Sequence, residues 1–308
     1  MRKFKKLSAL FVLALSFAAH TAQAGPPLIN LEGVGGIAFN PLAYPANSTG
    51  ENSHLKSGST EILGLPTFGA WYVNLHQPVV GGIDWSAVGV ADTFFKRLEL
   101  SYGYEAVAVA GFASVHKTSL GAKILLVPEN ALKTKALPAV SVGAIYKSSK
   151  AISGPVQVDI GKAGFGGPDT RSLGTDLYVV ATKLITQLPR PVLVSAGVLA
   201  TSGYATGVLG FDKTKRGTGF GNLDIVWPHG FATGFEYQQG AKFGAVGQAY
   251  RNPNYWDVHL AWFATPNITS VLAYVNAGDI KNSALGTGSG YDFVGLGEGT
   301  VLSLQHAF

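Results

Sequence analysis

Arg97-Leu98-Glu99-Leu100-Ser101-Tyr102-Gly103-Tyr104-Glu105 alternates without a break. Leu98, Leu100, Tyr102 and Tyr104 share one side, and Arg97, Glu99, Ser101, Gly103 and Glu105 share the other. A period of two makes a strand with two unlike faces. A helix would scatter the same leucines and tyrosines around its circumference.

The pattern recurs along the chain. Leu120, Ala122 and Ile124 oppose Ser119, Gly121 and Lys123. Val140, Val142, Ala144 and Tyr146 oppose Ser141, Gly143 and Lys147, and Val192, Val194, Ala196 and Val198 oppose Ser195 and Gly197. Further on, Leu223, Ile225 and Trp227 flank Asp224, while Phe231, Phe235 and Tyr237 oppose Gly234, Glu236 and Gln238. Trp256, Val258, Leu260 and Trp262 oppose Asp257 and His259, and Leu302, Leu304 and Phe308 oppose Ser303 and Gln305. Trp71 to His76, Asp84 to Ala91, Asp176 to Leu184 and Thr269 to Asn276 also read as strands, with no decisive facing. Together these make twelve strands, an even number as in single-chain bacterial barrels.

The connections alternate as well, except that the first loop, Gln77 to Gly82, is short. Long, glycine-rich or polar ones are expected near residues 106 to 117, 148 to 174, 202 to 221, 239 to 254 and 277 to 299. Mostly short ones fall near 92 to 96, 127 to 138, 185 to 191, 228 to 230 and 264 to 268, beside prolines that cost no ladder bond at a turn. An up-and-down barrel with long outer loops and tight periplasmic turns has this asymmetry, and a soluble sandwich has no reason for it.

Composition agrees. Charged residues are 13% of the chain, against roughly 25% for soluble domains. Beyond the first residues no apolar run is long enough for a spanning helix, so a membrane form must be a closed barrel. Arg2, Lys3, Lys5 and Lys6 precede an apolar stretch from Leu7 to Ala19 and then Ala22-Gln23-Ala24, which reads as a signal peptide cleaved after Ala24. Residues 1–24 hold four of the 23 basic residues and none of the 18 acidic ones, so the net charge of the processed chain falls from +5 to +1. That balance argues against a nucleic-acid partner. The chain divides into this signal, residues 25–66 as an N-terminal periplasmic tail or plug, and a barrel over 67–308. The portion from Ser48 to Thr60 is expected to be flexible, and all five tryptophans, Trp71, Trp85, Trp227, Trp256 and Trp262, are expected in interfacial girdles.

Chemistry is harder to find. There is no cysteine, no paired-histidine spacing and no Gly-x-Ser-x-Gly elbow, so no metal, cofactor or catalytic residue is assigned and the chain is not expected to be an enzyme. His259 beside Asp257 is the one acid–base pair with a plausible partner, and a structural hydrogen bond is its expected role. Glycine clusters at Gly33 to Gly36, Gly164 to Gly167, Gly217 to Gly221 and Gly286 to Gly299 match no phosphate-binding motif and read as flexible loops. The polar faces place Arg97, Glu99, Lys123, Lys147, Lys183, Asp224, Glu236, Asp257 and His259 toward the lumen. This mixture of signs suits a salt-bridged interior at least as well as a selective pore. Twelve strands lie between the eight or so that side chains can fill and the 16 to 18 that leave an aqueous channel.

Arg97 to Tyr104 (RLELSYGY), Ala273 to Ile280 (AYVNAGDI), Leu302 to Phe308 (LSLQHAF) and Leu31 to Tyr44 (LEGVGGIAFNPLAY) resemble blocks of a family of proteobacterial outer-membrane-type proteins of unknown function. The resemblance implies a bacterial outer-membrane barrel and supplies no functional residues. The terminal Phe308 is similar to the signal read by the barrel-assembly machinery, with His306 where an apolar residue is usual. The expected partners are therefore outer-membrane lipid, that machinery and a small solute the sequence does not name. The functions in view are a narrow channel or transporter for a small or amphipathic solute, a non-conducting barrel for envelope structure or surface interaction, and, less favoured, a lipid-modifying enzyme.

Overall fold

The computed structural model describes residues 28–47, 55–57, 60–77, 81–109, 114–153, 156–159, 170–243, 250–251, 253–278 and 296–308. The signal segment, its cleavage site after Ala24, most of the Ser48-to-Thr60 portion and the Gly164-to-Gly167 cluster lie outside the described residues.

The alternating segments become twelve antiparallel strands: β1 (Thr67–Gln77), β2 (Gly81–Phe94), β3 (Leu98–Val109), β4 (Ser114–Val127), β5 (Ala139–Ser153), β6 (Leu173–Ile185), β7 (Val192–Gly203), β8 (Phe211–Trp227), β9 (Phe231–Gln238), β10 (Tyr255–Thr265), β11 (Ile268–Asn276) and β12 (Glu298–Ala307). Each pairs with the next, and β12 returns to β1 with Ala307 opposite Thr67 and Glu298 opposite His76. The sheet therefore closes without an edge, and the ladder satisfies the wall's backbone polar groups internally.

Several strands run further than the alternation alone suggested. Around residues 106 to 117, β3 continues to Val109 and β4 begins at Ser114. Most of 202 to 221 is likewise strand, because β8 begins at Phe211 and takes in the glycines from Gly217 to Gly221. Small and polar residues there keep the ladder going past the apolar band. At the opposite end the β2–β3 turn is tight. Phe95 and Lys96 both have positive φ, and the Arg97 amide donates to the Phe94 carbonyl at 3.0 Å, the sign pattern of a type I′ hairpin turn.

Exposure alternates residue by residue. Val198 on the outer face is 61% exposed, whereas Lys117 on the inner face is 0% exposed. Leu120, Leu177, Leu260 and Leu272 join Val198 in an apolar belt too large for a water-facing surface, and lipid is the solvent that covers it. Trp227, Phe231 and Trp262 mark the belt at the turn end, with the Phe231 and Trp262 rings stacked at 6.1 Å and the Arg190 guanidinium 5.9 Å above Trp227. Trp256 and Tyr274, with ring centroids 6.0 Å apart, mark it at the loop end. The protein is an outer-membrane β-barrel.

Two tryptophans depart from the expected girdles. Trp71 and Trp85 are buried on the inner face. Trp71 lies flat against Gly69, where an added Cβ would come 2.2 Å from its ring. Inward faces that are themselves apolar explain why β1, β2 and β11 showed no facing in the sequence. Val73 and Leu75, Ile83 and Ala87, and Val271, Ala273 and Val275 all point inward and are buried.

Candidate functional site: the plugged lumen

The interior is filled by the chain itself. Residues 28–47 lie inside the barrel, and from Ile29 to Asn47 all but Glu32, Phe39 and Tyr44 are fully buried. Of the described part of residues 25–66, residues 28–47 fill the lumen as a plug, whereas Leu55–Ser57 and Thr60–Leu63 pair as a short hairpin whose Leu63 stands opposite Phe94 of β2. The plug is folded by its own polar residues. The Asn30 side-chain carbonyl accepts from the Glu32 and Val34 amides, and Gly33, at φ +83°, completes the turn.

The wall is shaped to receive this turn. Gly89 and Gly103 face each other across β2 and β3. A Cβ on Gly103 would sit 2.3 Å from the Glu32 carbonyl oxygen, and one on Gly89 would sit 2.7 Å from the Gly33 Cα. Glycine here serves close approach of one backbone to another.

Three polar groups hold the plug. The first joins Glu99 and Lys123, 2.8 Å apart on β3 and β4. Glu99 accepts from the amides of Gly35 (2.9 Å) and Ala46 (2.6 Å), and Lys123 donates to the carbonyls of Gly35 (3.0 Å), Leu42 (3.2 Å) and Tyr44 (2.8 Å). An irregular buried backbone needs such partners, and a buried charge needs its counter-charge.

The second group centres on Glu32. One carboxylate oxygen lies 2.7 Å from the Lys117 ammonium and 2.5 Å from that of Lys147. Glu105 and Asp176 complete the network at 2.9 Å from Lys117 and 2.6 Å from Lys147. Burial alone would raise the Glu32 pKa, but the two lysines outweigh it and hold it at about 2.

The third lies on β8 to β10. Glu236 accepts from the plug amides of Ala38 and Phe39, the latter at 2.7 Å, and from Asn222 at 2.6 Å. Beside it the His259 ring bridges two carboxylates, with Nδ1 2.8 Å from Asp257 and Nε2 2.7 Å from Asp224. Both ring nitrogens are thereby engaged, and neither faces a nucleophile. Among the described residues no group of three or more His, Asp or Glu is arranged to hold a metal ion.

A second closure comes from the loop end. After Gly203 the chain turns inward, and Tyr204, Ala205 and Val208 are buried. The Thr206 carbonyl accepts from Lys117 at 3.1 Å and Lys147 at 3.3 Å, and Ser149 donates to the Gly207 carbonyl at 2.6 Å.

Seven of the nine residues assigned to the lumen, Glu99, Lys123, Lys147, Asp224, Glu236, Asp257 and His259, are buried on inward faces. The other two are corrected. Arg97 lies in the turn before β3, exposed, and its guanidinium reaches the carbonyls of Leu125 and Leu126; β3 starts one residue later than the alternation. Lys183 has the parity of outward Leu177 and Val179, whereas Asp176, Tyr178 and Thr182 point inward. Near the strand end it bends to the β4–β5 connection, pairing with Glu129 at 2.9 Å and donating to the Asn130 side chain at 2.6 Å, as a long cation does at a membrane edge. Glu129 also accepts from the plug's Tyr44 hydroxyl at 2.8 Å, and burial together with this carboxylate pushes the Tyr44 pKa up.

Glu32, Lys117 and Asp176 were not singled out from the sequence. Lys117 was findable, because the inward parity of Ser119 and Lys123, carried back one step, reaches it. Glu32 carried no such signal, since the plug has no regular period.

A search of curated proteins finds no match. Solved structures with a similar strand arrangement include the KdgM porin, at TM-score 0.47 and 11% identity over 79% of this chain and 99% of that one. The COG4313 outer membrane channel from Pseudomonas putida F1 matches at 0.42 and 12%, over 84% and 98% of the two chains. The Acinetobacter baumannii outer membrane protein Omp33 matches at 0.40 and 8%, over 79% and 98%. Residues 70–291, from β1 into the connection after β11, match the family described as Protein of unknown function (DUF3034), and the chain belongs to that family.

Proposed function

We propose that the protein is a gated passage through the outer membrane for a small or amphipathic solute, closed at rest by residues 28–47 and by the inward loop after β7. The carrying observation is how the closure is attached. Residues 28–47 are held in the lumen by hydrogen bonds and ion pairs, all of them non-covalent. A wall of twelve strands encloses more than its own side chains fill, so withdrawal of the plug opens a passage. Engagement of both His259 nitrogens supports a non-enzymatic role for that residue. The aromatic end of β12, where Phe308 packs edge-on against Phe68 at 5.5 Å, supports recognition by the barrel-assembly machinery.

The number of buried ion pairs favours a second reading, a permanently closed barrel of structural role. Locking the plug separates the two. The chain has no native cysteine, so a Cys pair at Ala43 and Ser141, where the Ser141 hydroxyl reaches the Ala43 carbonyl at 2.5 Å, can be oxidised and reduced at will. In planar bilayers the reduced full-length protein is expected to open and the oxidised protein to stay silent. Silence in both states, with wild type also silent, would overturn the gated passage.

A further inference from the structure

Once the plug's side chains are set aside, the lumen has an apolar side and a charged side that meet along a line fixed by strand register. Ala273, Val301, Val73, Trp85, Val107 and Val115 stand opposite one another in turn across β11, β12, β1, β2, β3 and β4, forming one continuous inward row. All six are buried, and their side chains are hydrocarbon or indole. One inward step along β3 and β4, the next pair is Glu105 and Lys117. The apolar row therefore ends against an ammonium group.

The plug already places an acid at that boundary. Leu31 belongs to the same buried apolar cluster as Trp85, Val107 and Val115, while Glu32 sets one carboxylate oxygen between Lys117 and Lys147. A carboxylate with hydrocarbon beside it is thus what this corner holds when closed. Tyr255, in the same apolar cluster, carries a buried hydroxyl with no hydrogen-bond partner, a donor left over for something the plug does not supply. We infer that the lumen binds an amphipathic monocarboxylate, its carboxylate replacing that of Glu32 between Lys117 and Lys147 and its hydrocarbon lying along the row from Val115 to Ala273. This deepens the gated-passage reading and rests on it, since the plug's turn must withdraw for the solute to enter.

Plug and solute then compete for one site, so binding of either weakens the other by the same factor. The test uses the full-length protein in a nonionic detergent, with dodecanoate as probe and dodecanol and dodecyltrimethylammonium as controls. By calorimetry, Glu32→Gln is expected to bind dodecanoate at least tenfold more tightly than wild type, because a neutral amide competes poorly for two lysines. Adding Lys147→Gln should remove that gain, and neither control should show it. As a readout free of variants, saturating dodecanoate should increase protease cleavage within residues 28–47 of wild type, and dodecanol should not. Equal dodecanoate affinity in wild type and Glu32→Gln, or an equal gain for dodecanol, would overturn the site. If the locked and unlocked plug differ in conductance but dodecanoate has no effect, only the site falls. If dodecanoate frees the plug while no form conducts, the passage falls and the site stands.

Discussion

The Lys123 ammonium and the Glu99 carboxylate, 2.8 Å apart on neighbouring strands, grip the plug as one unit: Glu99 takes two backbone amides and Lys123 three backbone carbonyls. Removing one partner leaves the other charge buried and alone, at a cost of about 3–5 kcal/mol, whereas removing both is cheaper. Lys123→Met is therefore expected to destabilise the folded barrel more than Glu99→Gln/Lys123→Met does. Urea unfolding of the two variants in detergent compares them, and a double variant less stable than the single would refute the paired grip.

Glycine in the wall makes the seat for the plug. Gly103→Ala would drive a methyl group to 2.3 Å from the Glu32 carbonyl oxygen, and overpacking of this kind costs about 1–3 kcal/mol. Gly82 is the control, because a Cβ there meets nothing within 4 Å. Protease cleavage within residues 28–47 should rise in Gly103→Ala and stay at the wild-type level in Gly82→Ala, with the heat-dependent gel shift of the barrel kept in both.

Acid should release the plug in a defined window. The Glu32 pKa is lowered from 4.5 to about 2 by Lys117 and Lys147. A carboxylate depressed in the folded state stabilises fully above its unfolded value, and that contribution disappears as pH falls through the folded one. The Glu32 contribution to protection of residues 28–47 should thus be fully present above about pH 4.5 and fall between there and about pH 2. In Glu32→Gln the fall attributable to this group should be absent, which protease or hydrogen-exchange protection across the range can establish.

The outer face obeys the opposite rule from the inner one. Leu260, near the middle of β10 and paired with Thr233 and Leu272, faces outward and is exposed. Leu260→Lys is expected to lower the stability of the protein folded in lipid vesicles by about 2–4 kcal/mol. Lys183, outward-facing but anchored to Glu129 at the rim, should tolerate Arg with little change.

Alternation in the sequence made the wall legible because a strand between lipid and a polar interior must alternate. It told least where the interior is apolar. On β1, β2 and β11 the inward Val73, Ile83 and Val275 cannot be told from outward residues by hydropathy, since they lie in one buried apolar cluster with Ile29, Leu31 and Ala46 of the plug. The candidate site was half legible for a related reason. Glu99, Lys123 and Lys147 stand out on alternating strands, but Glu32 sits in irregular backbone whose position depends on the wall around it. Lys183 misled because a long cation near a strand end can bend to the rim from an outward position.

One contact bears on how the molecule assembles. The Ile29 amide bonds to the side chain of Gln305, 276 residues later in the chain. Seating of the N-terminal segment is therefore incomplete until the last strand has been delivered, and that same strand seals the seam with β1. Closing the cylinder and completing the plug's contacts both depend on long-range pairings, and such contacts are slow to form because of the loop they close. A chain lacking residues 298–307 would lose both this plug contact and the strand that joins β11 to β1.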